Sequence, residues 1–211
     1  MNSQRICIAE QHLVLHPSGV VFWEEKEVLL ISDVHLGKVT HFRKYGAAVP
    51  QKVILKNFEV LQETLSLFTP KTLCFLGDLF HSNLNQEWQL FENWVLQTDA
   101  KILLVAGNHD IISPLKYEAL GITLVPELIW GPFLFTHYPE EREGLFNLSG
   151  HIHPAVRLRG SGRQSLRLPC FFKNKYQLIL PAFGAFTGTH VLKKKEADEV
   201  YAIADAMVIK I

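Results

Sequence analysis

The residues best able to do chemistry in this chain stand in five short clusters. They read Asp33-Val34-His35, Gly77-Asp78, Gly107-Asn108-His109-Asp110, Thr136-His137 and Gly150-His151-Ile152-His153. Carboxylate, imidazole and amide oxygen together hold first-row divalent ions such as Mn, Fe and Zn. A carboxylate has two oxygens, so one Asp can bridge two ions about 3.5–4 Å apart. Asp78, alone on its turn, is the natural bridge. In Asp33-Val34-His35 and His151-Ile152-His153 the paired residues sit two apart. On an extended segment that spacing sends both side chains the same way. Gly77, Gly107 and Gly150 would let the backbone turn sharply and approach closely. A string such as Gly-Asn-His-Asp arises by chance in about one chain in a thousand of this size, at roughly 5% per residue type. Five such clusters in order need a common cause.

The cause lies in what precedes them. The clusters follow short apolar runs: Val28 to Ile31, Leu73 to Leu76, Ile102 to Val105, Phe133 to Phe135, and Leu145 to Leu148. These runs are strand length and largely non-alternating, as expected of strands buried on both faces. Between them, Lys52 to Phe68 and Gln86 to Leu96 show helical apolar spacing, through Val53, Leu55, Phe58, Leu61 and Leu65, and through Trp88, Phe91 and Val95. Pro50 and Pro70 punctuate the first of these helices. Alternating strand and helix argues for an α/β fold. In open α/β sheets, ligands sit beyond the carboxyl ends of the strands, so the clusters converge on one place. After His153 come short strand-like segments at Val156 to Leu158, Ser165 to Leu168, Phe171 to Phe172, Gln177 to Leu180 and Val200 to Ile211. They predict a second, more antiparallel sheet, facing the first with helices outside.

Composition sets the frame. The 211 residues suit one domain, 1–211, with a full core. Lys plus Arg equals Asp plus Glu, so the net charge is zero and any nucleic-acid site must be a local patch. Cys7, Cys74 and Cys170 are far apart with no CxxC, which argues for a reducing compartment. The first residues, MNSQRICIAEQ, do not read as a signal peptide. No segment approaches the roughly 20 apolar residues of a membrane span. The expectation is a cytoplasmic protein without a membrane partner.

The ordered set Asp-x-His, Gly-Asp, Gly-Asn-His-Asp, His and Gly-His-x-His resembles the full signature of the calcineurin-like metallophosphoesterase superfamily, from Asp33 to His153. The resemblance implies a four-layer α/β/β/α sandwich with two mixed sheets, flanking helices and two divalent ions between the sheets. It implies Asp33, His35, Asp78 and His153 on one ion, and Asp78, Asn108, His137 and His151 on the other. Mn2+ is the first expectation, with Fe, Zn, Ni or Co as alternatives. It implies hydrolysis of phosphoesters by a hydroxide bridging the ions, since two cations make bound water acidic enough near neutral pH. His109 is then the acid near the leaving group, oriented by Asp110. An imidazole titrates near 6.5, which suits that work, and a hydrogen bond from its ring to Asp110 would favour the imidazolium.

Strings outside the signature narrow the substrate. His35-Leu36-Gly37-Lys38-Val39-Thr40-His41-Phe42-Arg43-Lys44, Gly150-His151-Ile152-His153-Pro154, Leu166-Arg167-Leu168-Pro169-Cys170-Phe171 and Leu180 to Gly188 resemble the ligase-associated DNA-damage-response endonuclease family. That resemblance spans about residues 28 to 190. It implies a metal-dependent phosphodiesterase, DNA as substrate and a repair ligase as partner or neighbour. Gly77-Asp78-Leu79-Phe80-His81 resembles the matching stretch of the double-strand-break repair nuclease, which puts His81 near substrate. Arg43 and Lys44, close after the first ligands, are placed to meet a substrate phosphate. From His151 to Lys195 there are four Arg (157, 159, 163, 167), five Lys (173, 175, 193, 194, 195) and no acid. Such a span would neutralise phosphates along a strand, although Lys193-Lys194-Lys195, followed by Glu196, reads as a surface loop. Two other readings compete. A small-molecule pyrophosphatase of the UDP-diacylglucosamine type, or a nucleotide phosphohydrolase, would share Ser32 to Leu36, but no helical cap for acyl chains is inserted. A non-catalytic metal-stabilised scaffold is opposed by intact Asn108, His109 and Asp110.

Overall fold

The computed structural model describes residues 2–40, 46, 52–81, 84–160, 162 and 164–211. Arg43 and Lys44 lie outside the described residues. The first sheet runs in chain order through β1 (Gln4–Ile8), β2 (Gln11–Leu15), β3 (Val21–Trp23), β4 (Val28–Ile31), β5 (Thr72–Leu76), β6 (Lys101–Val105) and β7 (Thr123–Val125). Strands β1 to β4 are an antiparallel meander, and β4 to β7 are parallel. Helices α1 (Lys52–Phe68), α2 (Gln86–Val95) and α3 (Pro114–Glu118) connect the parallel half. The second sheet comprises β8 (Leu128–Trp130), β9 (Phe133–Phe135), β10 (Phe146–Ser149), β11 (Pro154–Arg159), β12 (Ser165–Lys173), β13 (Gln177–Ile179), β14 (His190–Val191), β15 (Glu199–Ala204) and β16 (Met207–Lys210). Its order is β14-β11-β12-β13-β10-β9-β8, with β15 added to β12 and β16 to β15.

Two mixed sheets with flanking helices are therefore present, as the α/β reading expects. Alternation along β5 shows how the layers form. Leu73 and Phe75 pack toward Leu61 of α1 and toward Trp88 and Phe91 of α2. Cys74 and Leu76 point the other way, against Phe133, Phe135, Leu148 and Phe171 of the second sheet. Full burial of one such Leu or Phe is worth about 1.5–3 kcal/mol. On the other face of β12, Cys170, Phe172, Ile179 and Val200 form a smaller cluster with Ile152, Val156 and Leu192.

Several boundaries differ from the sequence reading. Ser165 to Leu168 and Phe171 to Phe172 are one strand, β12, that runs through Pro169. Pro169 stands opposite Ala155, one residue before β12 begins to pair with β15 at Cys170. Val200 to Ile211 divides into the hairpin β15–β16, with Asp205 at its turn at a φ of 51°. On α1 the buried ridge is Ile54, Asn57, Leu61 and Thr64, whereas Leu55 is exposed. Asn57 is buried because its Oδ1 accepts from Ala185 N at 3.0 Å. On α2, Asn85 caps the first turn by accepting from Glu87 N at 2.8 Å. Among the described residues, no helix is long and apolar enough to cross a membrane.

Candidate metal centre

Each cluster occupies the loop its strand leads into. Asp33 and His35 follow β4, Asp78 follows β5, the Gly107 to Asp110 turn follows β6, His137 follows β9, and His151 and His153 follow β10. The loops are laced by backbone bonds: Asp33 N donates to Gly77 O at 3.2 Å, His35 N to Asp78 O at 2.9 Å, and Gly150 N to His137 O at 3.1 Å. His151 N donates to Asp33 Oδ2 at 2.9 Å, which ties the last loop to the first. Glycine is required where these segments touch. A Cβ on Gly77 would fall 2.3 Å from His137 Nδ1, and one on Gly150 would fall 2.3 Å from both Asp33 Oδ2 and Ser32 Oγ.

The side chains converge, but not through extended backbone. Asp33, His35, Asp78, His151 and His153 all have positive φ, between 50° and 65°. The expectation that two-residue spacing aligns the paired side chains along a strand is therefore corrected. Left-handed turns aim them, at about 1–3 kcal/mol of strain for each non-glycine residue. Strain gathered on one constellation is the mark of a site whose geometry matters more than its stability.

Two donor groups result. Asp33, His35 and His153 form one, and Asp78, His137 and His151 the other, each with ligand atoms within 4.8 Å of one another. In the first, His153 Nε2 lies 3.3 Å from Asp33 Oδ1 and 3.3 Å from His35 Nε2. In the second, His137 Nε2 lies 3.4 Å from Asp78 Oδ1 and 3.1 Å from His151 Nδ1. Asn108 Oδ1 joins this group at 3.1 Å from His137 Nε2. Asp78 stands between the two, with its other oxygen, Oδ2, 3.8 Å from His35 Nε2.

The donor chemistry fits cations. His137 Nδ1 faces Leu76 O at 3.1 Å, and His153 Nδ1 faces Gly188 O at 3.0 Å. A carbonyl can only accept, so each Nδ1 carries a proton, and Nε2 is the nitrogen turned into the centre. Asp33 Oδ1 is buried there without a hydrogen-bond partner. Converging lone pairs around an orphaned carboxylate oxygen are satisfied by a cation. Burial pushes His35 down to about 3 against the pull of Asp33, and burial also lowers His151, so both rings are neutral near pH 7. Burial works against ionised Asp33, but His153 and the Ser32 hydroxyl, 2.5 Å from Oδ2, outweigh it and hold its carboxyl below the ordinary range.

Around this pole the structure sharpens several sequence expectations. The expected bond from the His109 ring to Asp110 is replaced by two backbone bonds. Phe80 N donates to Asp110 Oδ1 at 3.0 Å and Gly107 N to Oδ2 at 2.9 Å. Asp110 thus braces the turn that carries Asn108 and His109, because both its oxygens are taken up by backbone amides. His109 N donates to Asp78 Oδ1 at 2.9 Å. The His109 ring lies 5.7 Å from His35 and 4.3 Å from His81, centroid to centroid. His81 Nδ1 sits 3.2 Å from His35 Nδ1, so it braces the His35 ring as well as standing at the site.

Three further residues belong here and were not singled out from sequence. Lys38 is half-buried, and burial lowers its ammonium while Asp78 and Asp33 pull it back up. Glu87 is buried and accepts from Gly37 N at 2.7 Å, Thr40 N at 3.1 Å and Thr40 Oγ1 at 2.7 Å, so it clamps the segment after His35. In the sequence it reads as an ordinary first-turn acid of α2. Tyr138 donates its hydroxyl to Asn108 Oδ1 at 2.9 Å and lays its ring 4.2 Å from that of His151. Its place directly after His137 was the available signal.

This fold and these paired donor groups define a metal-dependent phosphoesterase. Residues 26–182 match the family model of calcineurin-like phosphoesterases, and the chain belongs to that family. Among solved structures it is similar to Pseudomonas putida nuclease MPE, with a TM-score of 0.85 and 29% identity over 99% of this chain and 100% of that one. Yfce, a phosphoesterase from E. coli, is 16% identical with a TM-score of 0.47 over 87% of this chain and 97% of that one, a likeness too distant to carry argument. No curated protein matches the sequence.

Proposed function

We propose that this chain is a two-metal phosphodiesterase that cleaves DNA in a repair setting, with a DNA ligase as partner or neighbour and the cytoplasm as its compartment. The observation that carries the reading is the pair of His/Asp groups meeting at Asp78, on a chain similar along its whole length to the P. putida nuclease. Three free cysteines agree with a reducing compartment. Asp33, His35, Asp78 and His153 would hold one ion, and Asp78, Asn108, His137 and His151 the other, with Mn2+ the first choice and Fe, Zn, Ni or Co as alternatives. When bound, such ions supply positive charge for the phosphoryl oxygens and a water acidic enough to attack near neutral pH.

The chain's own residues do the rest. His109, whose backbone N–H donates to Asp78 Oδ1 and whose ring stands 5.7 Å from that of His35, donates a proton to the departing oxygen. Asp110 keeps the His109 turn in place through Phe80 and Gly107. His81 supports His35, and such partners behind a ligand tune its orientation and basicity. Arg43 and Lys44 are assigned to substrate phosphate on their closeness in sequence to the first ligands.

The test is hydrolysis of bis-p-nitrophenyl phosphate against p-nitrophenyl phosphate, with Mn2+ and with chelator, beside Asn108→Ala. The expected result is a manganese-dependent preference for the diester that the substitution abolishes, followed by cleavage of DNA oligonucleotides. Preference for the monoester, or no turnover with any metal, would sink the proposal.

A further inference from the structure

The hairpin β11–β12 starts at the metal centre, since Pro154 follows His153 directly. Its register puts Arg157 opposite Arg167 and Arg159 opposite Ser165. The phase of its two faces follows from β12. Phe171 enters the core between the sheets, while Cys170 and Phe172 enter the cluster on the other side. Alternation carried back along the strand puts Arg167 on the face of Phe171 and Leu168 on the opposite one. Val156, which pairs with Leu168, packs on the outer cluster and confirms the phase. Arg157, Arg159 and Arg167 therefore share the face that the second sheet turns toward the first, past the point where the core ends. All three are exposed.

Like charges directly opposite across a ladder destabilise it. Among the described residues, no acidic side chain pairs with these three; the Arg ion pairs found are those of Arg5 and Arg142. By contrast Lys173, at the far end of β12, is neutralised by Glu199. Among the described residues no acid offsets the Arg157–Arg167 repulsion, whereas a polyanion lying along this face would. Strand rise places Arg157 about 13 Å and Arg159 about 20 Å beyond His153. At about 3.4 Å per phosphate along a strand, that is on the order of four to six phosphates.

We propose that Arg157, Arg159 and Arg167 form a track that holds the backbone phosphates of a DNA strand leaving the metal centre. The inference rests on the reading of the chain as a DNA-cleaving enzyme and adds the surface that would let it prefer a polymer. Three guanidinium contacts contribute about 2 units to the slope of log affinity against log salt on a single strand.

The test measures binding of a fluorescent single-stranded oligonucleotide by anisotropy in chelator, and steady-state cleavage of DNA with Mn2+. Three full-length variants are compared with the parent: R157A/R159A/R167A, R157K/R159K/R167K and K193A/K194A/K195A. The first should weaken binding about tenfold at low salt, flatten the salt slope by about 2 and raise KM more than it lowers kcat. The lysine variant should keep the slope, and the loop-lysine variant should bind like the parent. An unchanged slope in R157A/R159A/R167A, or equal loss in the loop-lysine variant, overturns the track while the parent's DNA cleavage stands. A parent that turns over the aryl diester but neither binds nor cuts DNA overturns both proposals. Thermal melts matching the parent exclude misfolding, and the lysine variant repeats the test with charge intact.

Discussion

One cluster of ionisable side chains sits on the second sheet and another where the loops of the two sheets meet, and they are built on opposite principles. At the hairpin β15–β16, Glu199 accepts from Lys173 across β12, from Lys210 across β16, and from Tyr201 Oη at 2.8 Å. Both lysines there share the one carboxylate within the ladder. At the metal pole, Asp33, Asp78 and four imidazoles face one another with lone pairs convergent and one buried carboxylate oxygen orphaned. The backbone is strained at five of those residues. The first cluster closes on itself and needs nothing further. The second leaves its donors converging and one carboxylate oxygen unsatisfied, as a cation site does. Ionisable groups signal function when their mutual geometry leaves them unsatisfied, not when they are merely numerous.

That contrast breaks first at Asp78, whose two oxygens point to both donor groups. Asp78→Ala should lower turnover of the aryl diester by on the order of 10³-fold or more, because an Asp that held two ions, as proposed, would carry several kcal/mol of charge stabilisation. Calorimetric titration with Mn2+ should show lost affinity. A variant that keeps most of its turnover would mean the pole is not organised around Asp78.

His109→Ala should keep metal affinity and lose about 10²–10⁴-fold on DNA, the range for a general acid. The loss should be much smaller on the aryl diester, whose leaving group needs no proton. Equal loss on both would count against the acid role. Gly150→Ala probes the packing of the pole rather than its charge. The new Cβ meets Asp33 Oδ2 and Ser32 Oγ, so a destabilisation of about 1–3 kcal/mol is expected from overpacking, together with weaker Mn2+ binding. A variant as stable as the parent would show that the loops at Asp33 and His151 are less tightly joined than their hydrogen bond indicates.

The contrast also explains what could be read in the sequence. Buried parallel strands are continuous apolar runs, so β4, β5, β6 and β9 were legible, and the donors after them marked the pole. Strand β1 alternates partly buried with exposed residues and buries only Ile8, and β2 buries only Leu13 and Leu15. They never form such a run, and the meander they open with β3 went unseen. The donor set was legible because residue types alone define it. The way it is aimed was not, since positive φ at Asp33, His35, Asp78, His151 and His153 is a property of loops interlocked across two sheets. Asp110 and Glu87 show the same limit. Both carboxylates accept backbone amides from distant segments, and no local pattern records that.

The smallest expected effect lies at the closed cluster. Its two lysines and Tyr201 hold the Glu199 carboxyl down to about 2 from an ordinary 4.5, with Lys173 the largest cause. A carboxyl depressed on folding contributes stability that is fully present above its unfolded pKa and lost as pH falls toward the folded one. The Glu199 contribution should therefore be intact at pH 6, begin to fade near 4.5 and be gone near 2. Glu199→Gln should cost about 1 kcal/mol or less at neutral pH, since solvent screens a partly exposed pair, and leave turnover of the aryl diester unchanged. Denaturant melts of parent and variant at pH 6, 4 and 3 should converge as pH falls. A gap that widens toward acid would mean that the carboxyl is not held ionised by its lysines. A loss of turnover at neutral pH would mean that the two clusters are coupled through β12, and the division between a closed cluster and an open one would fail.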